Sequence, residues 1–175
     1  MRIILYFFYF FLLLASCLSD TGNDNKDSDG AEKIKRKVFR IAVRYAKDQL
    51  KDPGKKILEN GAIVFSGSEM EYLVDPLSIV IGQIDRDTTV DAVITLHIFR
   101  NMILTAREHL IMINKGGRLM IATVVNGDMK LLSIKDRIIY VETSKVDPDS
   151  PYYGCELCKE VHKYQFVGGE FKRTD

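Results

Sequence analysis

Residues 108–125 read EHLIMINKGGRLMIATVV. Two apolar runs of strand length face each other across Lys115-Gly116-Gly117. Glycine supplies the positive backbone angle that a tight turn requires, so this stretch predicts a hairpin. A turn this short leaves no room for a crossover, so the two strands must run antiparallel. The same pattern recurs downstream. Met129 to Ile134 and Arg137 to Thr143 flank Lys135-Asp136, and Lys159 to Val167 and Glu170 to Arg173 flank Gly168-Gly169. Upstream, Val90 to Phe99 (VDAVITLHIF) alternates Val90, Ala92, Ile94, Leu96 and Ile98 against Asp91, Thr95 and His97. Leu77 to Ile84 reads as a further strand, and Ala62 to Phe65 as a short one. Residues 100–107 fit either a helical turn or a strand extension. Successive hairpins with short turns mean an antiparallel meander.

Ahead of the strands the period changes. Over residues 31–51, Ile34, Val38, Ile41 and Tyr45 follow the 4-3-4 spacing that lines one face of a helix. The opposite face carries Lys33, Lys35, Arg36, Lys37, Arg40, Arg44 and Lys47. Asp52-Pro53-Gly54 ends the helix, because the residue before a proline avoids the helical region. The basic face reads first as the solvated side of a helix packed on a sheet, with anionic lipid headgroups as the alternative. One amphipathic helix on an antiparallel meander makes an α+β domain, expected over residues 31–175.

The N-terminus carries an address. Met1 and Arg2 precede an apolar run of 13 residues, Ile3 to Ala15. A spanning helix needs roughly 20 residues, whereas a signal peptide's apolar stretch is roughly 7–15. The run closes on Leu14-Ala15-Ser16-Cys17, which resembles the lipobox of bacterial lipoproteins. The resemblance implies cleavage after residue 16, a diacylglycerol on the Cys17 thiol, and palmitate as a further acyl group of the anchor. It places the protein on the cell membrane or outer membrane, facing the periplasm or exterior. Residues 17–30 are polar, with Asp20, Asp24, Asp27 and Asp29 against Lys26. Such a segment cannot bury enough apolar area to offset its ordering entropy, so a disordered acidic tether is expected. The register of an EF-hand loop is missing from it.

Beyond the leader the charges balance. Arg2 leaves with the signal, so the 25 Lys and Arg of the whole chain fall to 24 against 24 Asp and Glu. No basic excess supports nucleic-acid binding. The remaining domain is long enough to bury a core without staples.

The C-terminal half, about residues 76–173, resembles an uncharacterised β-rich domain of bacterial envelope proteins and lipoproteins. The matching pieces are Asp85-Arg86-Asp87 with Asp91-Ala92-Val93, the Lys115-Gly116-Gly117 turn, and Ile134-Lys135-Asp136. Asp147-Pro148-Asp149-Ser150-Pro151 with Cys155 and Cys158 comes next, and Tyr164 to Phe171 closes the match. The resemblance implies an extracytoplasmic sheet domain without known catalysis. The loop at Asp85 to Thr89 lacks the Asn and Gly of the fuller family pattern.

Cys155-Glu156-Leu157-Cys158 is the one chemically charged constellation. An exported compartment permits a structural disulfide there, which is the first reading. Cys155, Cys158 and His162 also have plausible spacing for zinc, although a fourth ligand is missing. A redox pair is the third reading, but it normally places its first cysteine at a helix N-terminus after a strand. His97 shares a strand face with Thr95 and is expected to be solvated. No Gly-x-Ser-x-Gly turn or His-Glu-x-x-His motif is present, so no catalytic residue, cofactor or metal is assigned.

These readings converge on a lipid-anchored envelope protein, a non-catalytic module that binds the membrane through its lipid and an envelope protein partner through its surface. The working surface would be the sheet face or loops 100–107 and 147–159, with Tyr152 and Tyr153 as aromatic anchors. The alternatives are a small envelope enzyme with a His97 or His109 pocket near a carboxylate, and a zinc or redox site at Cys155 and Cys158.

Overall fold

The protein is seen here in a computed structural model that describes residues 24–146, 150 and 155–175. The leader, Cys17, the start of the tether, Tyr152 and Tyr153 lie outside the described residues. The chain divides into two units, Met1–Lys33 and Ile34–Asp175. Of the first, only the opening turns of a helix fall within the described residues. The second holds the rest of that helix and all the strands.

The helix, α1, runs Asp24–Asp48. It begins seven residues before the expected start at 31, in what reads as tether. Beyond residue 34 the helix turns Val38, Ala42 and Ala46 inward, all 0% exposed. Two of the three are alanine, so the helix can approach its sheet closely.

Two antiparallel sheets follow. The larger holds β1 Gly54–Ile57, β2 Ile63–Ser66, β3 Glu71–Gly82, β4 Asp91–Arg100, β5 Ile103–Lys115 and β6 Arg118–Asn126, paired in that order. The smaller holds β7 Lys130–Lys135, β8 Ile138–Ser144, β9 Lys159–Val167 and β10 Glu170–Arg173, also in sequence order. The α+β reading and its meander stand, with the meander split into two sheets. β1, which the sequence pattern does not announce, is an edge strand exposed along its length. Its Lys55 and Lys56 suit an unpaired edge, where charge discourages pairing with other chains.

Residues 100–107, which by sequence fit helix or strand, are strand apart from the turn at 101–102. They form the end of the β4–β5 hairpin, which turns at Asn101 and Met102 with φ of 50° and 64°. The turn expected at Lys135-Asp136 lies one residue later, at Asp136 and Arg137. Gly116-Gly117 and Gly168-Gly169 take the same left-handed pair of conformations, in line with the sequence. Two successive positive angles match the twist of the strands they join.

Each face of the larger sheet has its own cover. Ala92, Ile94, Leu96, Leu110 and Met112 pack with Val38, Ala42 and Ala46 on the helix side. Val93, Ile111 and Ile113 pack with Ile134, Ile139 and Val141 of the smaller sheet on the other. β4 is therefore buried at every position from Asp91 to Leu96. Its alternation marks two covered faces, one apolar throughout and one mixed.

A buried carboxylate organises one end of this mixed face. Asp91, 0% exposed, accepts the backbone N–H groups of Ile84 at 2.7 Å and Asn114 at 2.8 Å. It fixes the Asp85–Thr89 loop to the β5–β6 hairpin. Lys115 reaches back to Asp85, and to Asp87 at 3.3 Å. Two Thr89 hydrogen bonds, then Lys115, hold the Asp87 carboxyl down at about 2. This acidic loop is a closed structural knot.

Candidate functional site

The opposite end of the mixed face is open, and a break in β3 opens it. Val74 pairs with Leu96 and Ile79 with Ile94, so residues 75–78 stand opposite Thr95 alone. Pro76 has no N–H to give the ladder, which confines it to such an irregularity. Asp75 Oδ1 accepts the Leu77 N–H at 2.9 Å and closes the local turn. The Ser78 hydroxyl is shared between the carbonyls of Asp75 and Thr95, at 2.8 and 2.9 Å. Beside the bulge lies a cleft of about 540 Å³. Asp75, Ser78, His97 and Arg107 line one wall, and Asp128, Glu142 and Lys159 are on the other.

The charges of the cleft are largely internally matched. Arg107 is ion-paired with Asp128, in the link between the sheets. Lys159 lies 3.4 Å from Glu142 on the smaller sheet. Burial works against the Arg107 charge and lowers its pKa. His97 is half-buried, and its Nδ1 is enclosed without a hydrogen-bond partner among the described residues. Burial, then the Arg107 charge, push the His97 pKa down, while Asp75 opposes them. The ring is thus neutral near pH 7, with one unsatisfied nitrogen in the cleft. A buried polar atom without a partner is uncommon in a folded protein and costs stability.

His109, one strand away, is the contrast. It is 2% exposed. Its Nε2 lies 3.1 Å from the Gly127 carbonyl and its Nδ1 lies 3.0 Å from the Thr95 hydroxyl. A carbonyl only accepts, so Nε2 carries the proton and Nδ1 accepts from Thr95. Burial drives its pKa down to about 4. His109 is a neutral bracket that fastens the inter-sheet link to β5. His162 is 5% exposed and lies between Glu160 at 2.8 Å and Asp175 at 3.5 Å. The expectation that His97 is solvated is therefore corrected: the ring is half-buried, because the second sheet covers part of the strand face that looked exposed.

Cys155 and Cys158 lie in one short turn. The N–H of Cys158 donates to the Cys155 carbonyl at 3.0 Å, closing a 3-10 turn over Glu156–Cys158. Both cysteines carry thiols in this structure. They are hydrogen-bonded to each other, which raises the Cys158 pKa. Both ring nitrogens of His162 face carboxylates. Among the described residues no three His, Cys, Asp or Glu side chains could hold a metal ion together. Cys155 does line the cleft. The loop bearing Tyr152 and Tyr153 lies outside the described residues.

Asp75, Ser78, Arg107 and Asp128 escape sequence reading. The signal that could have found them is Asp75-Pro76, an unlikely pair for the interior of a regular strand. A comparison with known protein families, curated proteins and solved structures finds no match for this chain.

Proposed function

We propose that this chain is a lipid-anchored protein of the bacterial cell envelope whose folded domain is a non-catalytic binding module. The anchor rests on the sequence: the short apolar leader and Leu14-Ala15-Ser16-Cys17. The binding role rests on the inter-sheet cleft, and one observation carries it. Arg107 and Lys159 are already paired with Asp128 and Glu142, while among the described residues of the cleft His97 Nδ1 is enclosed without a hydrogen-bond partner. A polar ligand that hydrogen-bonds this nitrogen would relieve that cost. Ser78 speaks against hydrolysis, since its proton is directed at backbone carbonyls and away from His97.

A small enzyme is the second reading, because His97 and Asp75 share the cleft and interact electrostatically. One experiment separates the two. The full chain and its His97→Ala variant are dialysed against the polar small-molecule fraction of bacterial envelopes, and each side is followed by mass spectrometry. The binding reading expects a compound retained by the wild type and released by the variant, unchanged in time. Steady consumption of a compound would support the enzyme. Equal retention by both chains would remove His97 from the account. The anchor is tested separately by the intact mass of the mature chain, which should begin at Cys17 with fatty acids attached.

A further inference from the structure

We infer that the outer face of α1 lies against anionic lipid headgroups, an inference that rests on the lipid-anchor reading. Arg36, Arg40, Arg44 and Lys47 are all exposed. They stand at intervals of 4, 4 and 3 residues, which places them in one row along the helix. The row cannot rotate inward, because Val38, Ala42 and Ala46 fix the opposite side to the sheet at 0% exposure.

Among the described residues none of the four is ion-paired. Arg40 Nε donates to the Arg36 carbonyl at 3.4 Å. Glu32 and Asp48 stand one turn beyond the two ends of the arginine row, and the three arginines between them follow one another without an acid. A face that is only solvated gains from alternating Glu and Lys one turn apart, whereas like charges at that spacing oppose the helix. The sequence therefore keeps three arginines in succession at the spacing where like charges oppose the helix. It does so in a chain whose net charge is only +1.

Charge complementarity and chain length choose the partner. Between Cys17 and the start of α1 at Asp24 lie six residues, which span about 21 Å at full extension. A lipid on Cys17 therefore holds the helix close to a bilayer. The lipid supplies the anchoring, and each cation near an anionic surface strengthens the contact roughly fivefold. An anionic phospholipid surface fits an extended row of cations, and the row lacks the concavity of a small-ligand pocket.

The test maps arginine reactivity by phenylglyoxal labelling and mass spectrometry. It uses the full chain with vesicles of phosphatidylcholine alone or with phosphatidylglycerol added. Labelling of Arg36, Arg40 and Arg44 should fall at least about threefold on the anionic vesicles. Labelling of the exposed Arg86 and Arg137 should stay unchanged, and high salt should restore the helix arginines. Equal labelling on both vesicles overturns the inference. So does equal protection of Arg86 and Arg137, or equal protection by soluble polyglutamate. A variant with Arg36→Glu, Arg40→Glu and Arg44→Glu should remain folded by circular dichroism. On anionic vesicles its Arg86 and Arg137 labelling should match that on neutral ones. Intact mass decides the lipid on Cys17 independently, so either reading can fail while the other is still measured.

Discussion

The two faces of the larger sheet come from the same strands and close in different ways. On the helix side a single rod with small residues fits the apolar row, and the few polar atoms there are paired. The hydroxyls of Tyr45 and Tyr72 donate to opposite oxygens of Glu108 at 3.1 and 3.4 Å. Burial, then the Glu108 charge, push both tyrosines up to about 12. On the other side a second sheet must dock past a bulge. It seals where Gly82 meets Ile134 and stays open at His97. The lesson is that a mixed strand face can be buried if each polar group finds a partner, and the group left without one marks the site.

That contrast can be attacked in several places. The largest effect concerns His109. With its pKa lowered from 6.5 to about 4, the folded state resists protonation that the unfolded chain accepts. Its contribution is intact above pH 6.5 and is lost as pH falls from there toward 4. The loss is on the order of 3 kcal/mol. Urea unfolding of wild type and His109→Gln across pH 7 to 4 checks this, and the variant should lack that part of the slope.

Next comes the seam between the sheets. A Cβ on Gly82 would lie 2.6 Å from Ile134 Cβ and 2.9 Å from its backbone oxygen. Gly82→Ala must therefore move one strand, and overpacking of this kind costs about 1–3 kcal/mol. Denaturant midpoints would reveal it, and an unchanged midpoint would mean the sheets do not meet there.

On the helix side, Tyr45→Phe removes one hydrogen bond to Glu108 and should cost about 1 kcal/mol near neutral pH. The wild type should also lose stability as pH rises from 10 toward 12, where the unfolded tyrosines ionise first. The smallest effect is expected at the cleft. His97→Ala removes an unsatisfied group, so stability should change by less than about 0.5 kcal/mol while ligand retention is lost. A large destabilisation would make His97 a structural residue.

Sequence periodicity reaches the hairpins and the helix because each depends on local spacing and turn chemistry. Lys115-Gly116-Gly117 and Gly168-Gly169 declare their turns, whereas Asn101-Met102 does not, since neither residue needs a positive angle. The pairing of β3 with β4 across the bulge is non-local, and only Pro76 hints at it. The mixed face of β4 misleads for the same reason: Thr95 and His97 look solvated until a second sheet, far along the chain, is placed over them. Cys155 and Cys158 draw attention by type, while the cleft charges of Asp75, Arg107 and Asp128 are scattered and carry no motif.

The most direct test of the cleft is a long-range ¹H–¹⁵N spectrum of the histidine rings, recorded as the envelope small-molecule fraction is added at neutral pH. The ring signals of His97 should move, while His109 keeps the pattern of a neutral ring protonated on Nε2. Movement of His109 or His162 with His97 unmoved would contradict the assignment of the site.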